Sequence, residues 1–485
     1  MFHNDTIAKR LKITALMALF FLSLFAHLFA QELDSKALGR ELEKLMSSKL
    51  VGGAEVAVAF YNPATCGLVW GHKNEQGMIP ASLQKLYTGI GALETLGPQY
   101  QFTTKIGSRG EIVDGVLKGD LIVVGGGDPS WMEDFYPKGP HQVFEAWADS
   151  LRALGIRKIE GNLIGNISLF PTLEKHPLWE KHNLHYGFSP GVGALCFNEN
   201  KVRFELEGAA KAGQKASATP SYNYKFLKVD NRIETVSENG AAGIWLKLSE
   251  DGGTVTLHGK LGTNTKQKLT AAVRNPPLFT MTILYDTFRK KGITITGKIL
   301  LEDGTSNNFT PLFSHKSPSL AEILAVMQKY SSNMLAEQML SHIGPGAQNG
   351  VTKLMELMAK SCIGGEFHVV DGSGLSRQNL CSASNLGLAL CLARHQEWFD
   401  FFLQSLATPG EIGTLKRRFP DLKEKSVLFG KTGSLRDVSN LAGYLRAGDD
   451  QLYVFVIMCN NVGNAANARK WQENVCNLLL KYNGR

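Results

Sequence analysis

At 485 residues, with 44% hydrophobic and 20% charged side chains, the chain is long enough for two or three packed domains and too apolar to be disordered. Its formal charge of +8 falls to +6 without residues 1–30, which carry Lys9, Arg10, Lys12 and Asp5. Spread over so large a surface with no dense basic run, that charge gives no argument for a nucleic-acid partner and allows only a mild, peripheral attraction to an anionic membrane surface.

The chain begins with a basic lead, MFHNDTIAKRLK, followed by an uncharged apolar run that ends at Ala30. This pattern is that of an export signal. The run is long, and Leu28 is a poor small residue three positions before the cut, so residues 1–30 read either as a signal peptide or as an N-terminal anchor. Both readings place the bulk of the protein in a periplasmic or other extracytoplasmic space. Seven cysteines (Cys66, Cys196, Cys362, Cys381, Cys391, Cys459 and Cys476) form no C-x-x-C, so neither a zinc site nor a dithiol redox motif is indicated. Their odd number leaves at least one thiol unpaired within a monomer.

Residues 82–96 carry Leu83, Leu86, Tyr87, Ile90, Leu93 and Leu96 at a helical period that ends at Gly97–Pro98. From about 104 to 309 the texture changes to short strands broken by glycine, as in GVLKGDLIVVGGGD, IEGNLIGNISLF, GGTVTLHGKLG and ITITGKILLEDG, with a helical interruption at HQVFEAWADSLRALG. Helices return at SLAEILAVMQKY, which opens with a capping box of Ser319 and Glu322, and at NMLAEQMLSHI. SVLFGKTGSL, NLAGYLRA and QLYVFVIMCN read as successive antiparallel strands, the last two joined across GDD. The closing segment is an amphipathic helix through Trp471, Val475, Leu478, Leu479 and Tyr482. The fold class expected is α+β: a domain made of 31–103 and 310–485, split by an inserted β-rich region at 104–309 with two subdomains.

Three short motifs occur in order: Ser82-Leu-Gln-Lys85, Ser331-Ser-Asn333 and Lys431-Thr432-Gly433, the last continued by Ser434. Each alone has an ordinary explanation. Ser82 could be a helix cap with a solvated lysine behind it, Ser331 to Asn333 an inter-helix turn, and Lys431 a strand lysine. Together, each in a suitable element, they form the S-x-x-K, S-x-N, K-T-G set of penicillin-binding proteins and β-lactamases. The chemistry is coherent. A serine hydroxyl attacks only if a neighbour takes its proton, and a lysine three positions on shares its helix face. That lysine must be neutral, which burial and a second cation, here Lys431, would favour. Ser331 can relay a proton, Asn333 can hold a substrate amide, and Lys431 with Thr432 can clamp a carboxylate. The N–H groups of Ser82 and Ser434 would make the oxyanion hole.

Competing motifs fail on chemistry. GFSPG (187–191) has the spacing of a nucleophile elbow, but Pro190 lacks the N–H that an oxyanion hole needs. FGKT has Lys425 where a phosphate loop needs its first glycine, and VVGGGDPS lacks the last glycine of a dinucleotide fingerprint. There is no H-E-x-x-H, and no metal or cofactor is expected.

With these motifs, and with KGDLIVVGGGDPS (118–130), YGFSPGVGALCFNEN (186–200) and DGSGLSRQN (371–379), the chain resembles the D-alanyl-D-alanine carboxypeptidase/endopeptidases of the DacB type, the low-molecular-mass class C penicillin-binding proteins. The 245 residues between Lys85 and Ser331 match the long insertion of that family. The resemblance spans essentially all of the chain after the N-terminal run. It implies a serine transpeptidase-like (β-lactamase-like) domain with a central antiparallel sheet flanked by helices. It further implies a DD-peptidase acting on peptidoglycan stem peptides and trapped covalently by β-lactam antibiotics. Ser82 would be the nucleophile, Lys85 the proton acceptor and Ser331 the second-motif serine. Asn333, Lys431, Thr432, Gly433 and Ser434 would bind substrate, and Asp371 would be structural support. A β-lactamase-like hydrolase is the alternative enzyme, although no deacylating residue is identifiable; a non-catalytic cell-wall-binding protein is the alternative from another class.

Overall fold

The computed structural model describes residues 37–482 apart from 223–226, 305–307, 361–365, 423 and 447–450. The apolar N-terminal run, Cys362 and the GDD connection lie outside the described residues. No described helix is long and apolar enough to cross a membrane.

Strands from both ends of the chain meet in one five-stranded antiparallel sheet. Its order is Leu428–Leu435, Val438–Arg446, Leu452–Asn460, Glu55–Asn62, Gly67–His72. Side chains alternate between its faces. Val56, Val58, Phe60, Phe455 and Ile457 pack under the C-terminal helix Ala465–Tyr482, through Trp471, Val475 and Leu479, and against Leu38 and Leu42 of the helix at 37–46. Ala57, Ala59, Tyr61, Val454, Val456 and Met458 face a helical layer of Gln84–Leu96, Leu320–Tyr330, Asn333–Ile343 and Ala383–Ala393. Both faces are covered, so QLYVFVIMCN is apolar almost throughout, as a doubly buried strand should be.

The Gln84–Leu96 helix is buried from Gln84 to Leu93, so packing rather than intrinsic propensity holds it. Two glycines make that packing possible. A Cβ on Gly89 would lie 2.8 Å from Gln328 Nε2, and one on Gly91 would lie 2.7 Å from Leu354 Cδ1. The capping box forms as expected: Ser319 Oγ accepts the Glu322 N–H, and the Glu322 carboxylate accepts the Ser319 N–H at 2.8 Å.

Between Phe102 and Ser317 the chain makes a long excursion whose ends are tied together. Phe102 N–H donates to Ser317 Oγ and Ser317 N–H to Phe102 O, each at 2.9 Å, and Thr103 pairs with Lys316 in the first ladder beyond. A seven-stranded sheet is built around the hairpin Thr103–Val113 and Val116–Val124. Helices His141–Ala153 and Pro276–Lys290 share its apolar core. Two smaller sheets follow, one of four strands on Thr254–Gly262 and one of three on Lys201–Glu207. ITITGKILLEDG, interrupted by its own glycine, makes two short strands, Thr294–Ile295 and Ile299–Glu302. Helices Ala347–Lys360, Ala383–Ala393 and Phe399–Ser405 were not foreseen from the sequence. The Ala383–Ala393 helix is buried nearly all round, which removes the one-sided pattern that marks a surface helix.

The six described cysteines are free. Cys196, Cys381, Cys391, Cys459 and Cys476 are buried, and burial raises their thiols, Cys196 to about 11, which keeps them in the unreactive protonated form.

Candidate active site

Ser82 stands in the short 3-10 turn Ala81–Leu83 that leads into the Gln84–Leu96 helix. The helix cap position falls on Leu83 and no side chain caps it, so Ser82 is not an N-cap. Ala81, just before it, has φ +48°, a left-handed conformation that costs a non-glycine residue free energy. Gly374, at φ +78° and without a Cβ, fits closely against the Ala81 carbonyl, so the D-G-S-G loop braces this turn. Lys85 follows on the same face, with Nζ 2.9 Å from Ser82 Oγ.

Lys85 Nζ has two further partners: Asn333 Oδ1 and Ser373 O, each at 2.7 Å. Both are acceptors only, whereas a serine hydroxyl can donate or accept. A neutral lysine has two N–H bonds and one lone pair. Asn333 and Ser373 take the N–H bonds, which leaves the lone pair facing Ser82 Oγ. Lys85 is wholly buried, and burial lowers its ammonium to about 7 against the opposing pull of Glu337 and Asp371. Burial thus lets Lys85 serve near neutrality as a base aimed at the serine.

Ser331 and Ser332 form the joint between two helices. Ser331 ends Leu320–Tyr330 at φ +60°, and Ser332 caps Asn333–Ile343 by accepting the Leu335 N–H. Ser331 Oγ accepts from Lys431 Nζ at 2.8 Å, and the same Nζ donates to Thr432 O at 2.8 Å. Lys431 is wholly buried on the edge strand Leu428–Leu435; burial first, then the charge of Lys85, holds it well below the ordinary lysine range. The cation effect expected at Lys85 therefore falls on Lys431. The reason is local: Lys85 has two carboxyl groups near it and is the better place for a shared positive charge.

Two further expectations concern side chains that the structure shows already engaged. Asn333, expected to be open to a substrate amide, is engaged at both ends, since its Nδ2 donates to Phe188 O at 2.6 Å while Oδ1 holds Lys85. Lys431, expected with Thr432 to clamp a carboxylate, is wholly buried behind Ser331, which borders a cleft. That cleft, of about 640 Å3, is bordered by Ser82, Ser331, Asn333 and Ser434 from the three motifs, and by Glu180, His182, Asn183 and Phe188 from the long excursion. Gly433 allows the edge strand to lie against the residues before the serine: a Cβ there would be 2.6 Å from Pro80 O. Ser189 of GFSPG is wholly buried and outside the cleft.

The excursion grips the second motif directly. Ser332 Oγ donates to Glu199 Oε1 at 2.6 Å, and Phe188 O receives Asn333 as above. It also grips the D-G-S-G loop, where Asp371 accepts the N–H groups of Gly374 and Ser376 at 2.7 Å and Trp179 Nε1 at 2.8 Å. No sequence pattern marks Trp179, Glu199 or Phe188 as neighbours of the motifs. Glu337 had one: it lies four residues after Asn333 and hence on the same helix face. No cluster of three or more metal-ligating side chains occurs among the described residues.

Comparison with known proteins gives the family. Residues 38–481 match the D-Ala-D-Ala carboxypeptidase 3 (S13) family. The D-alanyl-D-alanine carboxypeptidase DacB of Haemophilus influenzae is 26% identical, with 90% of this chain and 93% of that protein aligned. A D-alanyl-D-alanine carboxypeptidase of Actinomadura sp. is also 26% identical, over 88% and 82% of the two chains. The crystal structure of penicillin binding protein 4 from Haemophilus influenzae superposes with a TM-score of 0.77 at 25% identity, covering 88% of this chain and 97% of that one. A second crystal structure of that protein holds a β-lactam.

Proposed function

We propose that this chain, which belongs to the D-Ala-D-Ala carboxypeptidase 3 (S13) family and is a serine-type carboxypeptidase of peptidoglycan, works through an acyl-enzyme on Ser82. The observation that carries the reading is the chain of contacts from Ser82 Oγ to Lys85 Nζ to Asn333 Oδ1, with Lys431 Nζ behind Ser331 Oγ, which borders the same cleft. Lys85 takes the proton as Ser82 attacks the carbonyl of the penultimate D-Ala, and the N–H groups of Ser82 and Ser434 receive the developing oxyanion. Ser331, oriented by Lys431 Nζ, relays to the departing amine the proton that Lys85 took, so that Lys85 is neutral again when water enters. Water then attacks the ester and frees Ser82. A terminal D-Ala as leaving group makes the enzyme a carboxypeptidase; a cross-bridge amine makes it an endopeptidase. A β-lactam enters by the same attack, but its leaving amine stays tethered, so it remains as a covalent inhibitor.

The substrate lies outside the cytoplasm, in keeping with residues 1–30 as an export signal or anchor, and a net charge of +6 favours weak contact with an anionic membrane surface. The split arrangement, 31–103 with 310–485 around an insertion at 104–309, is part of the same proposal. Its support is the five-stranded sheet drawn from both chain ends and the tied ends of the excursion. Intact-mass spectrometry after treatment with penicillin tests the central step. One adduct is expected on the unaltered protein and none on Ser82→Ala; an adduct on the variant would place the nucleophile elsewhere.

A further inference from the structure

We propose that Glu337 is a positioning residue for Lys85, acting through the loop residues Gly372 and Ser373 to fix where the lysine lone pair points. This rests on the reading of Lys85 as the proton acceptor. Glu337 lies one turn beyond Asn333 on the Asn333–Ile343 helix and is buried, 1% exposed. Its Oε1 accepts the Ser373 N–H at 2.8 Å and its Oε2 the Gly372 N–H at 3.1 Å. The carbonyl groups of the same two residues face the helix that carries Lys85. Ser373 O accepts from Lys85 Nζ and Gly372 O from Thr88 Oγ1, each at 2.7 Å. The carboxylate and that helix therefore hold this stretch of loop between them.

One helix thus constrains Lys85 twice, directly through Asn333 Oδ1 and indirectly through Glu337 and the Ser373 carbonyl. Without the second constraint one N–H of neutral Lys85 loses its fixed acceptor, and its lone pair need no longer face Ser82. Glu337 also acts by charge. The titratable groups around the pair are Lys85, Lys431, Asp371 and, beyond Asp371, His176. Burial and the nearby Asp371 push the Glu337 carboxyl up, while the two N–H donors oppose that rise. The negative charge of Glu337 favours the charged form of Lys85, so its removal lowers the lysine further.

The test is the rate of acylation by a chromogenic β-lactam from pH 5 to 9, for the full chain and for Glu337→Gln and Glu337→Asp. In Glu337→Gln the maximal rate should fall roughly ten- to a hundredfold, the cost of a misplaced reacting group. The concentration for half-maximal rate should change little, and the acid limb, which tracks loss of the Lys85 proton, should move to lower pH. Glu337→Asp keeps the charge but withdraws it, so its rate should fall with no downward shift of the limb. A structural role alone would lower the amount of folded enzyme and leave the limb of the remainder in place; that result, or a wild-type rate and limb, overturns the proposal. If Glu337→Gln does not fold, a wild-type acylation rate in folded Glu337→Asp overturns it. Adducts on Ser82→Ala would overturn the reading of the site itself, independently of either variant.

Discussion

Replacing Lys85 by methionine, of similar length and without charge, should abolish acylation and yet stabilise the fold near neutral pH. An unfolded lysine releases its proton near 10.5, whereas in the folded protein burial brings Lys85 to about 7. Since the folded value is the lower one, protons bind the unfolded chain more tightly, and stability of the natural protein rises with pH between those two values. At pH 7 and below the folded state carries the full penalty, on the order of 5 kcal/mol for a shift of this size. Methionine removes that penalty. It also removes three hydrogen bonds and strands Asn333 Oδ1 and Ser373 O, a loss of about 3 kcal/mol. The net gain at pH 7 is therefore about 2 kcal/mol. The decisive quantity is its slope, because the hydrogen-bond losses hardly vary with pH. Between pH 7 and 9.5 the advantage of Lys85→Met should shrink by roughly 3 kcal/mol and change sign. Urea unfolding of both proteins at the two pH values measures it. A stability difference that stays constant from pH 7 to 9.5 would refute the view that Lys85 is held neutral by burial.

Lys431→Ala should lower acylation by roughly ten- to a hundredfold, and by similar factors for substrates with a free terminal carboxylate and for their amides, because Nζ is wholly buried against Ser331. A loss confined to the carboxylate substrates, read from paired acylation rates, would instead show direct contact with the carboxylate. Ser332→Ala removes a helix cap worth about 1 kcal/mol together with the bond to Glu199, so both the unfolding midpoint and the acylation rate should fall. Unchanged values for both would show that the excursion does not hold the second motif in place.

The motif side chains that meet at the cleft were legible in the sequence because their contacts depend on local spacing. Ser82 and Lys85 meet through one helical turn, Ser331 to Asn333 form a joint between two strongly periodic helices, and Lys431 to Gly433 lie in a strand whose apolar flanks announce it. The α+β class followed from the same periodicities, as did the capping box at Ser319. What the sequence could not supply is the state of each group. That Lys85 is lowered by burial rather than by Lys431, that Asn333 is engaged at both ends, and that Lys431 points at Ser331 are outcomes of packing among segments far apart in the chain. Trp179, Phe188 and Glu199 reach the site from the excursion with no pattern to mark them. Spacing along a helix or strand fixes which side chains are neighbours within one element. Desolvation and hydrogen bonding between elements, which decide whether a buried lysine is an acid or a base, exist only once the elements have closed around it.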